Sequence, residues 1–345
     1  MNGSVPHVDG WERRLPLLEY GEVALMRRKN INYSKYGYIF CMPFVLAFLV
    51  FSLYPILYTM IIGFTDLRGL GKTNFRILEG NPFANFQVIL QNPSFITSLQ
   101  NTALIWIINF IPQIALSLLL TAWFTNPLLK IKGQGAFKIM LYMPNIITAA
   151  TIAILFNSLF AYPMSPVNYL AVKLGFTADP VNFLLQKWTA RGIVSFIQFW
   201  MWYGSTMIVL IAGVLGISPA IFEAAAIDGA SNIQTFFRIT LPSLRTILLY
   251  TIITSMIGGL QMFDIPKLFL NGGPDNATLT TSVFIYNQAF SGSYLYNRAS
   301  AASMIMFIII GVLSAILFYI MRDKDAAKMK KEQKNLLKAV RRQAA

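Results

Sequence analysis

The 345-residue sequence is 56% hydrophobic and 12% charged, with a mean hydropathy of +0.56 and a formal charge of +14. A soluble domain carries about 25% charged residues, so hydrocarbon rather than water is the solvent for most of this chain. A lone cysteine (Cys41) in an apolar run and a lone histidine (His7) in a polar stretch exclude a disulfide framework, a Cys- or His-based metal site and histidine catalysis.

The first 37 residues are polar and lack a short apolar stretch ending at small residues, so they predict a tail and no cleavable signal peptide. A membrane-spanning helix needs about 20 mostly apolar residues, and the first candidate covers residues 38–64, with Pro43 and Pro55 inside it. The loop after it contains Gly71-Lys72-Thr73, which superficially suggests a nucleotide-binding loop. The glycine required five positions earlier is Asp66, and no strand precedes it, so that reading fails. Spans two and three are expected at 99–124 and 137–162, kinked at Pro112 and Pro144. Pro144-Asn145 places an amide near a bend in the membrane interior. The fourth span, 192–216, carries Gln198, Met201, Trp202 and Ser205 on one helix face by their spacing.

Residues 217–242 read as a helix–turn–helix. Ser218 and Pro219 suit a helix start, and Gly229 suits the left-handed residue that ends it. A second short helix is expected from Ser231 to about Thr240 before Leu241-Pro242 turns the chain, and Ile221, Phe222, Phe236 and Phe237 offer apolar anchors to a partner groove. The fifth span, about 246–263, is interrupted by Gly258, Gly259 and Gln261 and shows a face of Ser255, Gly258, Gly259 and Met262. The sixth covers 299–321, and the remainder, 322–345, is a basic tail.

With the N-terminus in the cytoplasm, twenty of the 28 Lys and Arg residues fall in cytoplasmic segments, which sets both tails inside. Cations gathered in tails fit contact with anionic membrane lipid and exclude nucleic acid as the partner. No acidic residue lies in the middle of a span, and Asp264 comes nearest. Ion-coupled carriers keep ionisable groups there, so the energy for transport is expected from elsewhere. No acid pair or Cys–His pairing is available for an intramembrane enzyme.

Glu223-Ala224-Ala225, three residues, Gly229, nine residues, then Ile239-Thr240-Leu241-Pro242 resembles the EAA signature of permeases of ATP-binding-cassette (ABC) importers at every specified position. Asn271-Gly272-Gly273-Pro274, Ala277-Thr278 and Tyr286-Asn287-Gln288-Ala289-Phe290 look like the stretch before the last span in sugar permeases of the maltose/glycerol-phosphate type, on the MalF/UgpA-like side. The resemblance runs from the first span to the sixth. It implies an all-α polytopic membrane protein with six transmembrane helices, the type I ABC importer permease fold, spanning 38–321 between tails 1–37 and 322–345. The large extracytoplasmic domain of the enterobacterial maltose permease has no counterpart, because the loop 65–98 is too short for it.

The resemblance also implies partners: a second, MalG-like permease, two ATPase subunits or domains, and an extracytoplasmic solute-binding protein delivering a sugar. It implies no cofactor bound by this chain, with ATP and Mg used by the partner ATPase, and Glu223, Ala224, Ala225, Asp228, Gly229, Ile239, Leu241 and Pro242 as the coupling surface. Sugars are held by neutral hydrogen-bonding groups and aromatic faces. Asn145, Gln198, Met201, Trp202, Ser205, Ser255, Gly259 and Met262 are the candidate pathway residues, although small residues and aromatics at this spacing equally make helix–helix contacts. Rival readings are an ion-coupled solute carrier and an ABC permease for amino acids or phosphate.

Overall fold

The computed structural model describes residues 34–126, 129, 131–292 and 294–321; the stretches up to residue 33 and from 322 to 345, read above as tails, lie outside the described residues. Apart from one isolated bridge between Thr65 and Ile77, the regular structure of the described residues is helical.

Two compact units divide at Leu57 and Tyr58. In the first, helix Ser34–Phe48 contains Pro43 and runs into a π-helical turn, Leu49–Leu53. Pro55 cannot donate to the carbonyl four residues back, at Phe51. Phe51 lies inside the π turn, whose extra residue takes up the mismatch.

Four further helices are long and apolar enough to cross a membrane, as is the first, Lys35–Ile62. They are Pro93–Thr125, Lys187–Leu215, Arg245–Leu270 and Tyr296–Met321. A sixth span is broken: Gln134–Asn145 and Ala149–Phe160 pass the same test jointly but meet at 87°. The sequence predicted one helix there. Pro144 cannot continue the hydrogen-bond ladder, Met143–Asn145 tightens into a 3-10 turn, and the Thr148 hydroxyl caps the second helix by accepting from Thr151 N at 3.3 Å. The fifth span also differs from expectation. Gly258 and Gly259 remain inside helix Arg245–Leu260, and the break falls at 261–263, before a short helix Asp264–Leu270. The second span begins at Pro93, earlier than its hydropathy suggested, because the Asn92 side chain accepts from Ser94 N at 2.9 Å.

In lipid, apolar contact supplies little net drive for helix association, so close backbone approach and hydrogen bonds between helices decide the packing. The second and fourth spans share the most extensive contact. Gln113 Nε2 donates to Thr206 Oγ1 at 2.8 Å, Ser117 Oγ to Tyr203 O at 2.7 Å and Thr121 Oγ1 to Met207 O at 3.4 Å. Leu120, Tyr203, Met207 and Ile211 close around this ladder. Gly204 brings the fourth span against the third: a Cβ there would lie 2.3 Å from Leu141 O. Ile105, Ile152, Phe156, Ile197, Met201 and Ile265 form a core joining spans two to five. Among the described residues every buried polar side chain is an uncharged Ser, Thr, Asn or Gln.

At one end of this bundle lies the connection between the fourth and fifth spans; we call this the loop end. At the far end, the segment 271–280 is tied down by the second and fourth spans. Asn101 Nδ2 donates to Asn276 O at 2.6 Å and Leu279 O at 3.2 Å, and Arg191 Nε donates to Ala277 O at 2.9 Å. An Arg191 guanidinium N–H also donates to Asn101 Oδ1 at 2.8 Å.

Candidate functional site

Two arrangements stand out. The first is the loop end. Helix Pro219–Ile227 begins with Pro219 at its first position, but Ser218 makes no side-chain cap, contrary to the sequence expectation; proline's fixed φ alone starts the turn. The helix ends as predicted. Gly229 has φ +74, its N–H donates to Ala226 O at 3.1 Å, and Ala230 N donates to Ala225 O at 2.9 Å. This paired closure is the Schellman pattern, which requires a left-handed residue. Ser231 then starts the second helix through a reciprocal capping box: Gln234 N donates to Ser231 Oγ at 3.3 Å, and Ser231 N to Gln234 Oε1 at 2.8 Å. The S-x-x-Q spacing was visible in the sequence but passed over.

Helix Asn232–Thr235 widens into a π turn, Phe236–Thr240, before Leu241 and Pro242. The offset repeats that of the first span. Pro242 lacks the donor for Arg238 O, and Arg238 lies in the π turn.

Glu223, Ala224, Asp228, Gly229 and Pro242 are exposed, Ile239 and Leu241 half-buried, and Ala225 is buried. The four expected apolar anchors divide. Ile221 and Phe237 are exposed and Phe222 and Phe236 half-buried, and all three phenylalanines line a cavity of about 550 Å³ with Leu118, Leu119 and Trp123 of the second span. Ile227, 86% exposed and overlooked in the sequence, presents more apolar surface than either outward anchor.

The second arrangement is a cavity of about 470 Å³ between the second, fourth and fifth spans. Gln198, Met201, Trp202 and Ser205 line it from the fourth span, and Ser255, Gly259 and Met262 line it from the fifth and the break after it. Asn145 does not. It ends the 3-10 turn, half-buried, and after the 87° bend Ala149 is the third-span residue that reaches the cavity.

The second span contributes Trp106, Asn109 and Gln113, which sequence reading missed. They recur at i, i+3 and i+7 within a run of apolar residues, and that polar spacing was the available signal. Gly259 is open enough for the Trp106 ring to lie against it: a Cβ at 259 would be 2.0 Å from Trp106 Cδ1. Trp106 Nε1 is buried and has no hydrogen-bond partner. The site thus offers uncharged donors and acceptors with the rings of Trp106, Trp202, Tyr250 and Phe263, and Asp264 stands at its edge. No cluster of three or more His, Cys, Asp or Glu able to hold a metal exists among the described residues.

Comparison with known proteins agrees with this layout. The profile of the family described as "Binding-protein-dependent transport system inner membrane component" matches residues 88–331. The lactose transport system permease protein LacF of Rhizobium radiobacter is 32% identical over 303 residues, covering 87% of this chain and 97% of LacF. The arabinooligosaccharides transport system permease protein AraP of Bacillus subtilis (strain 168) is 32% identical over 295 residues, 84% and 90% of the two chains. Crystal structures of a bacterial ABC transporter that imports the acidic polysaccharide alginate share the fold at 23% identity. One superposes with a TM-score of 0.71 over 86% of this chain and 98% of the other. A second, in complex with an alginate pentasaccharide-bound periplasmic protein, gives 0.69 over 85% and 96%.

Proposed function

Because this chain belongs to the family of binding-protein-dependent transport system inner membrane components, we propose that it is the permease of an ABC importer that carries carbohydrate through the cell membrane. The observation that carries this reading is the exposed helix Pro219–Ile227, closed by Gly229 and followed by a second capped turn, within a chain that matches the family over its helical bundle.

In mechanism, an extracytoplasmic binding protein delivers the sugar to the far end of the bundle, and a second permease completes the path. Two ATPase subunits grip the loop end through Glu223, Ala224, Asp228, Gly229 and the exposed Ile227. The ATPases use ATP and Mg; this chain hydrolyses nothing. Both termini lie in the cytoplasm, on the side of the loop end, as the distribution of Lys and Arg supports. Alternating access follows when the ATPase dimer closes and pulls the loop. The capping box and Schellman closure keep the two short helices intact under that load, and the π turn at Phe236–Thr240 joins them to the fifth span. The fifth span in turn forms one wall of the uncharged cavity, where aromatic faces and amide or hydroxyl groups receive the sugar.

Relatives named for lactose and arabinooligosaccharide transport support a carbohydrate cargo. The decisive measurement is sugar uptake into proteoliposomes holding the complete importer with ATP inside. Uptake should require ATP and the binding protein and stop with vanadate; vanadate-insensitive uptake would reject the assignment.

A further inference from the structure

We propose that the cavity between the second, fourth and fifth spans selects uncharged saccharides, and that Asp264 acts as an electrostatic filter excluding acidic ones. This deepens, and rests on, the carbohydrate-importer reading.

Among the described residues lining the cavity, Asp264 alone carries a formal charge. A carboxylate-bearing sugar entering it would lose water without meeting a cation, and an unpaired charge in such a site is strongly disfavoured. The cations on the fourth and fifth spans are engaged elsewhere: Lys187 Nζ lies 3.6 Å from an Asp275 carboxylate oxygen, and Arg245 Nε donates to Met321 O at 3.1 Å. Lys267 Nζ donates to Asn287 Oδ1 at 2.8 Å and lies 4.7 Å from the Tyr286 ring centroid. Arg191 is held by Ala277 O and Asn101 Oδ1 and packs over Trp188 at 5.0 Å.

Asp264 itself is exposed, opens the short helix Asp264–Leu270, and makes no ion pair among the described residues. Its carboxylate accepts hydrogen bonds from hydroxyl groups and repels a second carboxylate. The remaining wall suits a neutral polyhydroxyl ligand. Trp106 Nε1 is a buried donor without an acceptor, which a sugar hydroxyl can satisfy, and the indoles of Trp106 and Trp202 line the cavity. The filter is a property of this chain's own residues; the alginate importers share its fold at 23% identity, and nothing about their cargo transfers with it.

The test uses thiol-reactive methanethiosulfonates as charged probes. Cys41, the sole cysteine, is exposed, so Cys41→Ser supplies a background in which Ser205→Cys places one thiol on the cavity wall. The complete importer in nanodiscs is labelled with a cationic, a neutral and an anionic reagent, each rate normalised to that with a free thiol. The cationic reagent should outrun the anionic one by about tenfold, equivalent to about 1.4 kcal/mol. Asp264→Asn, which keeps a polar residue at the helix start, should bring that ratio close to one.

Protection of the thiol by galactotriose, and not by trigalacturonate, is the expected companion result. Equal labelling by both charged reagents, a ratio unmoved by Asp264→Asn, protection by trigalacturonate, or no labelling by any reagent each overturns the proposal. ATP-driven sugar uptake by the same wild-type importer reconstituted in proteoliposomes separates these outcomes from failure of the importer reading. Uptake that persists leaves that reading standing and removes the filter alone.

Discussion

At the scale of single residues, Gly229 shows how a motif glycine can matter through backbone conformation and not through crowding. Nothing lies within 4 Å of the position a Cβ would take, yet φ is +74. A substitution there meets open space in this chain and only the left-handed penalty of about 1–2 kcal/mol. Gly229→Ala should therefore insert normally but lower sugar-stimulated ATPase activity several-fold. Gly229→Asn, which tolerates this conformation, should recover most of it. If Asn is as damaging as a bulky β-branched residue, the partner surface and not the backbone governs the position; side-by-side ATPase assays of the three variants decide. Gly259 is the opposite case, a glycine required by contact, since the Trp106 ring fills the space a side chain would occupy. The sequence showed both as glycines and could not tell them apart, because one depends on φ and the other on a partner 153 positions away in the chain.

At the scale of elements, capping and proline chemistry were the readable part, and their combination with distant groups was not. Pro219 and Gly229 marked their helix ends correctly. Pro144 announced a kink, but the 87° turn also needed Thr148 to cap a fresh helix, and a Thr in an apolar run looks like any other small span residue. Two π turns, Leu49–Leu53 and Phe236–Thr240, sit at the same offset before Pro55 and Pro242, so the widened turn follows from the proline once its context is helical. The Arg191 clamp was invisible because its acceptors, Ala277 O and Asn101 Oδ1, come from two other elements. Arg191→Ala removes both bonds and leaves Asn101 Oδ1 unpaired. Hydrogen bonds to charged groups contribute about 1.5–3 kcal/mol, so the purified variant should melt several degrees below wild type, and Arg191→Lys should restore only part of the loss. An unchanged melting temperature would show the clamp to be dispensable.

At the scale of the whole molecule, hydropathy and charge asymmetry gave a span count that the helices reproduce once the broken third span is counted as one. The stripes on the fourth and fifth spans do meet across one cavity, while the second-span wall went unseen because a long apolar run hides Trp106, Asn109 and Gln113 spaced along one face. The buried Ser, Thr, Asn and Gln side chains of the described bundle carry no charge, which favours a transport cycle without a coupling ion. Collapsing the proton and sodium gradients with ionophores, at fixed internal ATP, should leave the initial rate of sugar uptake within about twofold, the span of an ordinary minor perturbation of under 1 kcal/mol. A tenfold fall would reveal ion coupling.

Where the fourth span meets the third, bare main chain abuts bare main chain at Gly204 and Leu141, three residues beyond Met201 and one before Ser205. All nineteen alternatives to glycine carry a β-carbon, and that atom would collide with a carbonyl that has no flexible end to swing aside. Any side chain at position 204 would thus wedge the third and fourth spans apart, so the shape of the chamber beside it depends on a residue that is not part of its wall.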